Sequence, residues 1–194
     1  MTLYIFITHQ QNINSCYDRI KTMMDDNFIV VQGGFIKDSY NEETRVLNLN
    51  CNDKYFALPE KVIKTFDFLI SDERFSKYTH FVKLDDDMVV LDKNIKIEED
   101  YCGVVHQGDG SRTWHMGRCG NFWDKLPYFG EFTPWCMGGY GYIISRKALE
   151  KVLPNHDYST HIYEDVYIGL ILKNKEIYPT DIDTQLYFIS PDHK

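Results

Sequence analysis

Asp85, Asp86 and Asp87 stand side by side between two apolar runs, His80-Phe-Val-Lys-Leu84 and Met88-Val-Val-Leu91. The flanking runs read as buried strand. Three adjacent carboxylates at a strand end repel one another, and a bound divalent cation removes that cost. Oxygen donors suit Mn2+ or Mg2+, and Mg2+ takes one or two carboxylates and completes its shell with water and phosphate oxygens. The triplet therefore points to a metal–diphosphate site. Its other reading is a solvated turn with some helix capping, and an isolated Asp triplet serves either equally.

Composition narrows the choice. A chain of 194 residues with 43% hydrophobic and 15% aromatic residues is one domain, 1–194, with a substantial core, or a fragment of a longer protein. A net charge of −8 carries no nucleic-acid footprint. An acidic chain that binds an anion needs a metal or a few local cations. The five cysteines, 16, 51, 102, 119 and 136, are odd in number, irregularly spaced and form no CxxC. They read as reduced thiols in a cytoplasmic setting, with little support for zinc. The start, Met1-Thr-Leu-Tyr-Ile-Phe-Ile-Thr8, lacks the basic region and length of a signal peptide, and no apolar run reaches membrane-spanning length.

The elements that must position the aspartates follow from periodicity. Strands are expected at Leu3–Thr8, Phe28–Gln32, Arg45–Leu49, Phe81–Leu84, near Tyr101–Gln107 and at Tyr140–Ile144. Asn14 or Ser15 caps a helix with Cys16, Ile20, Met23 and Met24 on one face. Pro59 opens a long helix carrying Val62, Phe66, Leu69 and Ile70. Ser145 caps a helix ending before Pro154, and another begins near Glu164. Residues 108–139 hold seven glycines and Trp114, Trp123 and Trp135, a composition that fits a functional lid or rim. Alternating strands and helices indicate an α/β domain, whose ligands sit at the carboxyl ends of the strands, where the aspartates fall.

Four segments stand in order: Asn52-Asp-Lys-Tyr-Phe-Ala-Leu-Pro-Glu-Lys61, Phe81-Val-Lys-Leu-Asp-Asp-Asp-Met-Val89, Thr133-Pro-Trp-Cys-Met-Gly-Gly-Tyr-Gly-Tyr-Ile-Ile-Ser145 and Tyr163-Glu-Asp-Val-Tyr-Ile-Gly169. Together, over roughly residues 50–170, they resemble the β-1,3-galactosyltransferase and Fringe group of nucleotide-sugar glycosyltransferases. The resemblance implies a GT-A fold, a Rossmann-like mixed sheet flanked by helices. It also implies a UDP-sugar donor, a glycan or glycoprotein acceptor and Mn2+ (or Mg2+). The short start departs from the family's usual membrane-anchored luminal members and is similar to a minimal microbial or large-DNA-virus form, cytoplasmic in its host. Cys136 matches a family cysteine.

Residue roles follow from the resemblance. Asp87 holds the metal, with Asp85 or Asp86 arranging ribose or water ligands, and a late histidine, His193 or else His161, supplies a third ligand. Asp53 and Lys61 belong to the nucleotide side, where Lys61 adds positive charge or is simply a helix-surface lysine. Thr8, His9 and Gln10 follow the first strand and touch base or ribose. Gly138 and Gly139 let backbone approach the donor sugar. Trp135 and Tyr140 present ring faces to it or fill the core. Arg112, His115 and Arg118 close over the diphosphate or stay in a solvated loop, and Lys83 is structural. Asp165 takes the acceptor's proton, giving inversion, with Glu164 as the second choice. Alternatively the pair only favours a helix start through its dipole. Two other functions stay open: a nucleotide-sugar-binding module without catalysis, and a metal-dependent nucleotidyl or phosphoryl transferase. The absence of a GxxxxGK[ST] segment argues against a P-loop version of the latter.

Overall fold

The computed structural model describes residues 1–108, 112–113, 116–117, 122–153 and 163–190. The strands are β1 (Thr2–Ile7), β2 (Phe28–Gln32), β3 (Ser39–Asn41), β4 (Val46–Asn48), β5 (His80–Asp85), β6 (Val89–Val90), β7 (Tyr101–Gly103), β8 (Val105–His106), β9 (Trp135–Cys136), β10 (Tyr142–Ser145), β11 (Thr180–Asp181) and β12 (Phe188–Ile189). The helices are α1 (Ile13–Met23), α2 (Leu58–Ser71), α3 (Arg146–Val152) and α4 (Glu164–Lys173). Eight strands form one mixed sheet in the order β11-β7-β10-β5-β1-β2-β4-β3. β1 runs parallel to both β2 and β5, whereas β10 is antiparallel to β5 and β7. This is the α/β, Rossmann-like mixed sheet flanked by helices that the sequence led us to expect.

The central strands read as unbroken apolar runs because both sheet faces are covered. Along β1, Leu3, Ile5 and Ile7 join the core under α2, α3 and α4, while Tyr4 and Phe6 pack with Cys16 and Ile20 of α1 on the other face. α1 follows β1 on one face and α2 precedes β5 on the other. The carboxyl ends of neighbouring β1 and β5 thus lie between connections that diverge to opposite faces, where open α/β sheets form their crevice.

Several boundaries differ from expectation. The residue before α1 is Asn12, and its side chain makes no cap bond; Asn14 and Ser15 lie inside the first turn. Ser145 does cap α3, accepting from the Ala148 amide. The expected strand near 101–107 splits at Val104 into β7, in the main sheet, and β8, which pairs with β9 in a small ribbon. Tyr140 belongs to the 3-10 turn Gly138–Tyr140, so the last expected strand starts at Tyr142. Cys16, Cys51, Cys102 and Cys136 are buried and free, and Cys119 lies outside the described residues. Among the described residues, no helix is long and apolar enough to cross a membrane.

Candidate active site

Parallel register places the acids. Ile7 pairs with Asp85, so the residue after each strand, Thr8 and Asp86, are neighbours across the sheet. Thr8 Oγ1 donates to Asp86 Oδ2 at 2.7 Å, and Asn12 Nδ2 donates to the same oxygen at 3.2 Å. Asp87 Oδ2 accepts from Ser190 Oγ at 2.6 Å. Asp85 Oδ1 takes the ammonium of Lys83 at 2.6 Å. Each of the three carboxylates is therefore held through one oxygen by a different part of the chain, with no hydrogen bond on its other oxygen among the described residues.

Beside them, Asp53 joins three segments. Its Oδ1 accepts from the Gly33 amide at 2.7 Å and from Lys61 Nζ at 2.6 Å, and its Oδ2 accepts from the Gln10 amide at 2.7 Å. Lys61 Nζ also donates to the Thr8 carbonyl at 2.8 Å. Burial pushes the Asp53 carboxyl up, but Lys61 and the two amides outweigh it and hold it below the ordinary carboxylate value. Gly33 packs closely against this network: a Cβ there would sit 2.9 Å from Cys51 Sγ and 3.0 Å from Asp53 Oδ1, so a larger residue would have to displace them. Lys61 is 3% exposed, so it is not the helix-surface lysine that its position in α2 allowed.

These residues bound a cleft of about 700 Å³ lined by Thr8, His9, Gln10, Asp53, Lys61 and the three aspartates, with Tyr55 and Leu58. Sequence reasoning named eight of these and missed Tyr55 and Leu58. It also missed Asn12 and Ser190, the partners of Asp86 and Asp87, because contacts 74 and 103 residues apart leave no spacing signal.

The second cluster lies at the start of α4. Glu164 is 4% exposed and Lys83 1%. Tyr142, cross-strand partner of Lys83, donates its hydroxyl to Glu164 Oε1, and Lys83 Nζ stands 3.4 Å from Glu164 Oε2. Burial, assisted by Asp165, drives the Glu164 carboxyl up to about 7 against the pull of Lys83 and Tyr142. Lys83 is also pushed down by burial, yet Asp85 and Glu164 together hold it above its ordinary value. Asp165 is half-buried; its Oδ2 accepts from the Gly138 amide at 3.0 Å and its Oδ1 from the Val166 amide at 2.8 Å. Gly138 is buried against this helix start, where a Cβ would lie 3.0 Å from Glu164 Oε2, while Gly139 is exposed.

Other expectations shift. Trp135 is 5% exposed and stacked on His106 at 4.3 Å and on Phe132 at 5.8 Å, so its ring belongs to an aromatic core cluster. Arg112 donates to the Tyr128 and Gly130 carbonyls and lies 4.8 Å over Phe132, so it is spent within its own loop. Lys83 ties Asp85 to Glu164, which its reading as a plain structural lysine did not include. His115, Arg118, His161 and His193 lie outside the described residues.

An all-oxygen donor set with one open oxygen on each carboxylate fits a hard divalent cation that keeps water and phosphate oxygens in its shell. Among the described residues, no three His, Cys, Asp or Glu side chains gather tightly enough to hold an ion alone.

The galactosyltransferase family model matches residues 30–183, a span that holds the Asp triplet, Asp53, Lys61 and the Glu164-Asp165 pair. The chain belongs to the galactosyltransferase family. As a member it is a glycosyltransferase, acting between a sugar donor and a glycan acceptor. No curated protein matches the sequence. Among solved structures, this galactosyltransferase-family chain is similar to a Bacillus anthracis protein assigned as a glucose-1-phosphate thymidylyltransferase, in complex with sucrose. That likeness has a TM-score of 0.47 at 10% identity and covers 98% of this chain and 89% of that one.

Proposed function

We propose that the protein moves a hexose from a UDP-sugar to a hydroxyl of a glycan or glycoprotein, with Mn2+ or Mg2+ and with inversion at the anomeric carbon. The observation that supports this best is the carboxyl-end cleft, where Asp85, Asp86 and Asp87 share one wall system with Asp53, Lys61 and the Thr8–Gln10 loop.

Thr8, His9, Gln10 and Asp53 face the nucleoside. Lys61 holds Asp53 and the Thr8 carbonyl in place, and its charge is answered by Asp53 rather than offered to the diphosphate. Asp85 and Asp87 hold the metal, with Asp86, fixed by Thr8 and Asn12, beside them. When bound, the metal neutralises the negative charge growing on the departing diphosphate. Asp165 takes the acceptor's proton as its oxygen attacks the face of the sugar opposite the diphosphate. Its exposure suits that task better than the buried, twice-bonded Glu164. The Gly138–Tyr140 turn, which donates to Asp165, borders the donor sugar.

A thermal-shift screen of UDP-sugars with Mn2+, followed by turnover of any stabilising donor, tests this. One UDP-hexose is expected to stabilise the protein only with the metal and to be consumed. Stabilisation without consumption in the presence of glycan acceptors would point to a binding module, and release of pyrophosphate to a nucleotidyl transferase.

A further inference from the structure

Lys83 touches both halves of the proposed site. Its ammonium, on a side chain 1% exposed, lies 2.6 Å from Asp85 Oδ1, 3.4 Å from Glu164 Oε2 and 3.5 Å from the Gly138 carbonyl. Those partners belong to the end of β5, the first turn of α4 and the Gly138–Tyr140 turn. The Gly138 peptide faces both ways, since its carbonyl takes Lys83 and its amide donates to Asp165 at 3.0 Å. A chain of contacts, Asp85–Lys83–Gly138–Asp165, thus joins the carboxylates that face the diphosphate to the carboxylate that faces the acceptor.

Such a lysine is a costly way to hold a fold together. A buried ammonium is favourable only when its partners surround it, and apolar residues of similar volume often replace a buried ion pair with no loss of stability. What an apolar residue cannot do is grip three elements at fixed donor–acceptor distances. Displacement at an anomeric carbon requires the attacking oxygen and the departing phosphate oxygen in line, and about 1 Å of misplacement costs about 10²-fold in rate.

We propose that Lys83 is a positioning residue for transfer: clamped between Asp85, Glu164 and the Gly138 carbonyl, it sets the placement of the diphosphate side of the cleft relative to Asp165, so that donor and acceptor align. This rests on the transfer reaction proposed above.

The test compares the double variant Lys83→Met/Glu164→Gln, which removes the buried cation together with the buried anion it balances and leaves Asp85 open to water, with Glu164→Gln alone, so that any loss of transfer belonging to Glu164 itself is accounted for. It is read by melting temperature, by UDP-sugar affinity with Mn2+, by transfer to acceptor, and by hydrolysis of the donor to free sugar and UDP. The expected result is a melting temperature near wild type, donor affinity and hydrolysis kept, and transfer lowered by about 10²-fold, the cost of lost alignment. Should the double variant not fold, Lys83→Gln/Glu164→Gln keeps an amide donor toward Asp85 and is expected to show the same split. Transfer in the double variant equal to that of Glu164→Gln alone, with stability kept, would overturn the proposal and leave Lys83 a charge-balancing residue. Donor affinity lost in parallel with transfer would also overturn it, assigning Lys83 to donor binding. Failure of the transfer reading itself would appear in the wild-type protein, as no turnover of any UDP-sugar, before any variant is compared.

Discussion

The two ends of the central sheet both carry a cleft and both carry ion pairs, and the difference lies in which groups are buried. At the amino end, a cleft of about 530 Å³ is walled by Arg45 with Asp26 and by Arg74 with Glu42, and Arg74 also pairs with Asp72 behind it. The arginine side chains there are 33% and 43% exposed, and Asp26 and Glu42 are 73% and 68% exposed. At the carboxyl end the lysines are nearly inaccessible, Lys61 at 4% and Lys83 at 1%, while Asp85 is 39% exposed. The amino end has charges in water that happen to meet. The carboxyl end has buried cations fixing carboxylates that face a cavity. Size alone does not separate the clefts; the buried cations behind one of them do, because burying a charge carries a desolvation cost that the exposed pairs at the other end do not bear.

Variants at the two ends can break or sharpen this contrast. The largest effect is expected from Asp87→Ala, which should abolish both metal-dependent nucleotide binding and turnover while the fold stays intact. Titration of UDP with and without Mn2+, beside a transfer assay, checks it; undiminished activity in excess EDTA would contradict it. Next is Lys61→Met, which strands Asp53 and frees the Thr8 carbonyl. Breaking a buried pair from one side costs about 3–5 kcal/mol, and because Asp53 is 19% exposed the lower end applies. Urea unfolding measures it.

A smaller effect concerns pH. Glu164 is raised from its ordinary 4.5 to about 7 by burial, so the folded state holds its proton more tightly than the unfolded chain does. The stability it contributes is therefore complete below 4.5 and is lost as pH rises through about 7. Denaturation midpoints of wild type should fall across that window relative to those of Glu164→Gln, and parallel curves would show that Glu164 does not titrate there. The smallest effect is expected at the amino end. Arg74→Ala should cost less than about 1 kcal/mol, as exposed pairs do, and leave transfer unchanged. A loss equal to that of Lys61→Met would erase the contrast between the ends.

Much of this was legible in the sequence where the signal is local. The Phe28–Gln32 strand, the α2 helix opened at Pro59 and the α4 helix starting at Glu164 follow from short-range periodicity and capping chemistry. The Asp triplet, Asp53, Lys61 and the Thr8–Gln10 loop stood in recognisable segments, and parallel pairing of β1 with β5 then forced them together. What stayed hidden depends on which faces meet. β3, β6, β8, β9, β11 and β12 are two or three residues long and exist only through their partners, so no window of sequence reveals them. The clamp of Lys83 on Glu164 needs β5, β10 and α4 to be assembled first. Trp135 looked equally suited to sugar and to core, and its stacking on His106 and Phe132 decided for core only once β8 and β9 were paired.

The claim at the centre is that the carboxyl end separates donor binding from acceptor activation, with Asp165 on the acceptor side. Both oxygens of Asp165 accept backbone amides, an arrangement that a helix-start residue with no chemistry would also show. Asp165→Asn keeps the shape and removes the basicity, so UDP-sugar affinity and transfer rate, measured side by side for wild type, Asp165→Asn and Glu164→Gln, test the point most directly. The expected result is unchanged donor affinity in Asp165→Asn with transfer lowered by about 10²–10⁴-fold, the contribution of a positioned base. Transfer near the wild-type rate in Asp165→Asn would contradict the account, moving the base to Glu164 if Glu164→Gln alone is impaired and leaving the pair purely structural if neither is.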